Sequence, residues 1–405
     1  MLLRNIYTIC YIFYIVVYEY IQFKIFNCDR NTLYFNILNK ISKIDIFFVK
    51  LMQWIIMDIN DEVLKNMLIQ FSNNVQYNDY EINREIINEL KNKNIIIENT
   101  PINSGTIAIV FKGSYDNKNI IIKLKRNNIK KILKNSISLM STIAFLIKFT
   151  YYRYLKIDLF IETNMSYLFE QINFINEITN INTFYNNFKN NNEIIIPKVY
   201  SEFSNNDVIV MEYINGISIH ELIKNNYNKN LLTYPNNFFI ESIMKYNLLH
   251  SDLHQGNILF LNDTKQIGII DFGLVKKLDS KEKQLMLYYL IGMYSSLDKF
   301  KNIIINKLIE KVDDTINNID YDKLLLDNTL NEFIKDKDKG CLHFIKINKI
   351  LEKYNLKMKN SFFKVIFHIA PFIDFVKYLS KLNEHSVSLT ALNKYKNQLI
   401  YNKLK

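Results

Sequence analysis

Apolar positions along the chain follow two different periods. Between Asn31 and Ile95 they recur three and four apart, in Leu33-Ile37-Ile41 and again through Ile82-Ile86-Ile87-Leu90, the spacing of a buried helix face. At Pro101 the period changes. Thr106 to Phe111 and Asn119 to Lys123 are short β-rich runs on either side of Ser114-Tyr115-Asp116-Asn117-Lys118, which predicts a hairpin. Asn127 to Asn192 is helical again, with an interruption near Lys156-Ile157-Asp158. Pro197-Lys198-Val199-Tyr200 begins another sheet segment, and Asp207 to Tyr213 is a buried strand. Ile217 to Leu248 is helical. Ile258 to Leu261 and Ile267 to Ile270 are apolar runs joined by Asn262-Asp263-Thr264-Lys265, a second predicted hairpin. After Asp279 the chain is helical, with dense apolar helices over Leu285 to Leu297 and Phe362 to Leu379, and it holds no repeat and no low-complexity linker.

Residues 5 to 18 carry no charge and are strongly apolar. This run is shorter than the roughly 20 residues that span a bilayer, and extending it to Phe26 takes in Glu19 and Lys24. A buried or interfacial helix ranks first for this segment and an uncleaved membrane anchor second. A mitochondrial transit peptide ranks last, because Arg and Ser are nearly missing.

Composition adjusts this picture in three places. A hydrophobic fraction of 49% over 405 residues excludes general disorder and leaves room for two or three domains. The net charge of +11 would suit nucleic acid or an anionic membrane. The lysines, however, are scattered among acidic residues as on a solvated surface, and with no clustered patch a nucleic-acid partner is the weakest option. Cys10, Cys28 and Cys341 have neither metal-ligand spacing nor enough partners for a disulfide framework, so a reducing, intracellular compartment is expected. With only eight glycines, each is expected to mark backbone that needs positive φ or close approach to a ligand. Gly105, Gly113, Gly216, Gly256, Gly268 and Gly273 are read as outlining one nucleotide cleft.

The chemistry concentrates in residues 249 to 275. His250-Ser251-Asp252 is followed by Asn257 and then by Asp271-Phe272-Gly273, in the order and spacing of a kinase catalytic loop and metal-binding loop. Phosphoryl transfer needs metal ions against developing charge, oxygen ligands to hold them, and one carboxylate at the attacking group. Asp252 takes that last role, Asn257 and Asp271 hold metal and nucleotide, and the implied cofactors are ATP and Mg2+. Lys123, in Ile120-Ile121-Ile122-Lys123, sits where a strand lysine holds phosphates, with Glu177 as its best ion-pair partner. A solvent-facing Glu177 is the commoner fate of a helix glutamate. Gly105 and Thr106 fall in the loop covering the phosphates, and the backbone of Glu212 and Tyr213 would meet the adenine edge. Lys50 and Gln53 share a helix face, for which a snorkelling lysine is sufficient explanation. His343, His368 and His385 are isolated and read as structural or solvent-facing.

With these residues collected, the sequence resembles the UbiB (aarF-domain) family of atypical protein kinases from about Phe47 to about Lys301. His250-Ser251-Asp252-Leu253-His254-Gln255-Gly256-Asn257 is similar to the family's H-A-D-P-H-P-G-N. Lys50-Leu51-Met52-Gln53 falls at its K-x-G-Q, Gly105-Thr106-Ile107-Ala108 at its alanine-rich loop, and Val210-Met211-Glu212-Tyr213 at its hinge. Gln171-Ile172-Asn173 stands where the family has E-x-D, so two carboxylates are amides here.

The resemblance implies an α+β, protein-kinase-like two-lobed fold with a mostly helical C-lobe. Its parts are an N-terminal helical extension over residues 1–95, an N-lobe over 96–213 with a helical insert at about 127–168, and a C-lobe over 214–405. It also implies a regulatory role for Lys50 and Gln53, and Mg-ATP chemistry, as ATP hydrolysis or transfer to a small molecule or lipid in ubiquinone or other isoprenoid-lipid metabolism, at a membrane. Two competitors stand beside this reading. One is a catalytically silent nucleotide-binding module, and the other a small-molecule kinase of the aminoglycoside or choline type. Nothing in the sequence sets an oligomeric state.

Overall fold

The computed structural model describes residues 1–45, 77–147, 169–224, 228–293, 296–312 and 353–382, with residues 350–351 and scattered positions between 48 and 75. The chain divides into two compact units, one of residues 1–179 and 198–213, the other of 180–197 and 214–405.

The first unit is built on a sheet in the order β1 (Ile96–Ile97), β3 (Ala108–Tyr115), β4 (Lys118–Lys125) and β6 (Val208–Glu212), with β2 (Asn103–Ser104) also pairing β3. The predicted hairpin is present and longer than expected. It pairs Ala108 with Lys125 at one end and Tyr115 with Lys118 at the other. The two residues left in the turn, Asp116 and Asn117, have φ of 50° and 57°, the left-handed pair of a type I′ turn. Alternation then sorts β4 by face: Ile120, Ile122 and Leu124 are fully buried, and Lys123 and Lys125 lie on the opposite face. Against the apolar face packs α3 (Arg84–Asn92), whose Ile86, Ile87 and Leu90 join Ile109, Phe111, Val208 and Val210 in one core. Each such side chain contributes ~1.5–3 kcal/mol by leaving water.

Three further helices of this unit are α1 (Leu2–Phe26), α2 (Arg30–Ser42) and α4 (Ile129–Ile147). Polar residues join them. Asn5 donates to Ser138 Oγ and Thr142 Oγ1, both at 2.9 Å, and Glu19 accepts from Asn36 at 3.0 Å and pairs with Lys40. Helix α1 runs past the uncharged stretch to Phe26, with the Glu19 carboxylate paired to Lys40 of α2, and is long and apolar enough to cross a membrane by length and composition. It is not a buried helix, since only 11% of its most apolar window is inside the protein, while Leu3, Tyr7, Phe13 and Phe26 are exposed.

In α5 (Phe174–Phe188), Phe174, Glu177, Ile181, Phe184 and Phe188 recur three and four apart, and all five are buried. Asn173 caps the helix, its side chain accepting from Asn176 N–H. The boundary between the units falls within this helix. Of the residues where an insert is expected, about 127–168, those of 129–147 form α4 and residues 148–168 lie outside the described ones.

The second unit holds β5 (Ile194–Ile195), α6 (Ile219–Lys224), α7 (Tyr234–Tyr246), β7 (Leu248–His250), β8 (Ile258–Leu261), β9 (Gln266–Ile269) and β10 (Val275–Lys277). The second predicted hairpin is β8–β9, joined through β9 to β5, and β7 pairs β10. Helices α8 (Ser280–Met293), α9 (Leu297–Ile303) and α10 (Asn360–Leu382) follow, and Phe239 of α7 stacks on Phe372 of α10 at 3.8 Å. Between α9 and α10 the expectation of an all-helical remainder fails, because β11 (Ile309–Lys311) pairs antiparallel with β12 (Leu356–Met358).

The glycine expectation is also corrected. No described glycine has positive φ; the left-handed positions are held mainly by asparagines, at 27, 94, 117, 128, 247 and 355. Asn tolerates that conformation through its short polar side chain. Glycine is required instead for packing. A Cβ on Gly113 would lie 2.4 Å from Ile96 O, and one on Gly268 2.8 Å from Ile214 Cγ2.

Candidate active site

Each unit brings one group of the predicted residues together. In the first, the ammonium of Lys123 lies 2.6 Å from Glu177 Oε1, with side-chain exposures of 12% and 1%. The solvent-facing alternative for Glu177 is thus set aside, since the residue occupies a position in the buried stripe of α5. Lys123 and Lys125 flank the ring of Phe174, at 5.8 and 4.7 Å from its centroid. Burial pushes the Lys125 ammonium pKa down, while Asp207, 3.4 Å away, pulls it back up.

In the second unit the residues predicted for the catalytic and metal-binding loops share a backbone network centred on His250, which is wholly buried between the rings of Phe184, Phe238 and Phe272. Its Nε2 lies 2.6 Å from the carbonyl of Asp271, and its Nδ1 accepts from Asp252 N–H at 3.4 Å. A carbonyl cannot donate, so the hydrogen is on Nε2. Burial holds this imidazole below its usual pKa range, although the bond to Asp271 O opposes that. One neutral ring therefore ties the segment bearing Asp252 to the segment bearing Asp271. Strand pairing adds Val275 opposite His250, and Ser251 N–H donates to Leu274 O at 2.9 Å.

The second tie is Asn257. Its Nδ2 donates to Asp252 O at 2.8 Å and its own carbonyl accepts from Ile270 N–H at 3.1 Å, so the amide Oδ1 is turned away from the Asp252 backbone. Asp271 Oδ1 accepts from Gly273 N–H at 2.9 Å, and Asn180 Nδ2 holds Phe272 O at 3.0 Å. His254 Nδ1 accepts from Gly256 N–H at 3.0 Å, with Nε2 3.8 Å from Asp252 Oδ1, beyond hydrogen-bond range. As a donor set for a hard divalent ion, an amide oxygen and a carboxylate suit Mg2+, which takes few protein ligands and completes its shell with water and phosphate oxygens. Among the described residues no group of three or more His, Cys, Asp or Glu could hold a metal.

The remaining predicted residues fall apart from these groups or outside the description. Gly105 N–H donates to Ala108 O at 2.8 Å in the loop before β3, and Thr106 beside it is buried. Glu212 N–H donates to Lys198 O and Tyr213 N–H to Asn119 O, at 2.9 and 3.2 Å. Lys50 and Gln53 lie outside the described residues, as do Met52, His343, His385 and Cys341. Sequence reasoning passed over Asn180, the linking role of His250, and Arg126. His250 follows the apolar pair Leu248-Leu249, which was the available signal for it, whereas Arg126 and Asn180 stand among polar neighbours that gave none.

The sequence profile of the ABC1 atypical kinase-like domain matches residues 70–302, more than half the chain. The chain belongs to this family. ABC1 membership bears out the resemblance drawn from the motifs and the kinase-like α+β fold. Over 225 residues this ABC1 chain is 30% identical to a probable protein kinase UbiB of Blochmanniella pennsylvanica, covering 53% of this chain and 40% of that one. Over 233 residues it is 28% identical to Protein ACTIVITY OF BC1 COMPLEX KINASE 1, chloroplastic, of Arabidopsis thaliana, covering 56% and 34%. The chain thus spans well under half the length of these relatives. A solved structure of Rv3197 with erythromycin from Mycobacterium tuberculosis aligns at a TM-score of 0.43 and 16% identity, over 72% of this chain and 78% of that one.

Proposed function

We propose that the chain binds Mg-ATP and catalyses ATP hydrolysis or phosphoryl transfer to a small molecule or lipid, in support of ubiquinone or other isoprenoid-lipid metabolism. The observation that carries this reading is the buried Lys123–Glu177 ion pair, present in the same chain as Asp252, Asn257 and Asp271 on one hydrogen-bonded network. Lys123, oriented by Glu177, is assigned to the phosphates, with Gly105 and Thr106 in the covering loop and Glu212 and Tyr213 toward the base. Asn257 and Asp271 would hold Mg2+, which when bound contributes charge neutralisation at the phosphates. Asp252 is placed to accept a proton from the attacking hydroxyl or water.

The finer division into an extension (1–95), an N-lobe (96–213) and a C-lobe (214–405) belongs to the same proposal, as does regulation through Lys50 and Gln53. So does an intracellular location at a membrane surface. Its support is α1, with a mean hydropathy of 1.4 and an exposed aromatic and aliphatic face. Fractionation of the intact chain beside one lacking residues 1–28 tests this, and equal partition would remove it.

The test of the activity is ADP release and nucleotide-induced thermal stabilisation, with and without magnesium, for wild type beside Asp271→Asn. Magnesium-dependent stabilisation and turnover are expected from wild type and lost in the variant. A melting temperature indifferent to nucleotide would remove the reading. One observation favours a catalytically silent switch, namely the amides Gln171 and Asn173 in place of the family's two carboxylates. Asn173 is nevertheless employed as a helix cap, a task that either Asp or Asn performs. Stabilisation by Mg-ATP with background ADP release from both proteins would select the switch.

A further inference from the structure

The residue after β4, Arg126, is 3% exposed and its guanidinium reaches three separate stretches of chain. Nε donates to Gly105 O at 3.0 Å and Nη2 to Ser104 Oγ at 2.7 Å, both in the loop ahead of β3. Nη2 also reaches Val75 O at 3.4 Å, and Nη1 lies 2.9 Å from Glu81 Oε2. The backbone closes the same knot. Arg126 N–H donates to Ile107 O at 2.9 Å, Val75 N–H to Ser104 O at 2.8 Å, and Asn127 N–H to Glu81 O at 2.8 Å. Glu81 is itself fixed by accepting from Asn78 N–H at 2.7 Å.

We propose that Arg126 is a positioning residue that fixes the loop 103–107 and makes its placement depend on Val75 and Glu81. The backbone ties this segment to β3 through the β2 pairing and Gly105 N–H to Ala108 O, and the guanidinium adds the ties to Glu81 and, with the Val75 backbone, to residue 75. A guanidinium suits this because it offers a planar fork wide enough for acceptors in two directions. Because Lys123 precedes Arg126 by three residues, one strand end carries both the phosphate lysine and the anchor of the loop assigned to cover the phosphates. That last step rests on the Mg-ATP reading, whereas the anchor itself does not.

The experiment is hydrogen exchange, read by mass spectrometry, on the full chain without nucleotide, comparing wild type with Arg126→Lys, Glu81→Gln and Ser104→Ala. Arg126→Lys is expected to speed exchange over 103–107 by on the order of tenfold, since charge-assisted bonds are lost, and to leave the β3–β4 amides unchanged. Glu81→Gln is expected to loosen the same loop from a distance, and Ser104→Ala to loosen it less; these two decide the matter if the arginine variant does not fold. Unchanged loop exchange in Arg126→Lys overturns the anchor, and unchanged loop exchange in Glu81→Gln overturns the dependence on that carboxylate. With Mg-ATP, Arg126→Lys should raise KM several-fold more than it lowers kcat. A proportionate fall in kcat alone overturns the positioning role. Absence of any Mg-ATP binding by wild type would overturn the proposed function and leave exchange alone to decide the anchor.

Discussion

His250→Phe is the substitution that best separates structure from titration in the catalytic loop. The phenyl ring fits a site already walled by Phe184, Phe238 and Phe272, so little volume is lost. What disappears is the 2.6 Å bond to Asp271 O and the weaker one from Asp252 N–H. A buried carbonyl left without its donor costs about 2 kcal/mol. The sign of the pH effect follows from burial: the folded-state pKa is lowered from 6.5, so the native protein binds fewer protons than the unfolded chain. The stability this residue contributes is full above the unfolded pKa and falls as pH drops below it. As pH falls from about 7.5 to about 5.5 wild type should lose stability through this group, and His250→Phe should not. The variant should therefore be less stable by about 2 kcal/mol at the higher pH and by a smaller amount at the lower. Urea unfolding at both pH values, followed by circular dichroism, measures the two differences, and every other titrating group cancels between the proteins. A gap that does not change with pH would refute the neutral, hydrogen-bonded imidazole.

Gly113→Ala, whose Cβ would lie 2.4 Å from Ile96 O, should destabilise by about 1–3 kcal/mol, whereas Gly105→Ala should be close to neutral. Thermal melts of the two variants check this, and equal melting temperatures would contradict the packing argument. Glu19→Leu should free α2 from α1 by removing the acceptor for Asn36 and Lys40, seen as faster tryptic cleavage after Arg30 and Lys40; an unchanged rate would count against the tie. His368 is pulled down to about 3 by burial and by Lys276, so its contribution is complete above pH 6.5 and declines as pH falls toward 3. His368→Phe should flatten the stability profile across that window, and an unaltered acid limb would show that other groups set it.

Much of this was legible because it is local. The β3–β4 hairpin, the β8–β9 hairpin and the catalytic-loop spacing are each encoded within a few dozen residues, where alternation and turn residues act directly. Glu177 was readable too, since it occupies a position in the three-and-four stripe from Phe174 to Phe188, which a surface glutamate would not. Long-range pairing hid the rest. The apolar run of α1 looks interrupted at Glu19 because the residues that pair with it, Lys40 by charge and Asn36 by a hydrogen bond, belong to another helix. β11 finds its partner β12 more than forty residues later, with no turn signal between adjacent runs to announce it. Glycine scarcity misled as to positive φ, because among the described residues the left-handed positions went mainly to asparagine in a chain rich in it.

The Asp116-Asn117 turn governs more than the shape of one hairpin. Strand side chains alternate, so a β4 slipped by one residue against β3 would carry every one of its residues to the opposite side of the sheet. Leu124 would then face Glu177 and Lys123 would enter the core beside α3. Which face carries Lys123 therefore depends on the register that this two-residue loop closes at the far end of the hairpin.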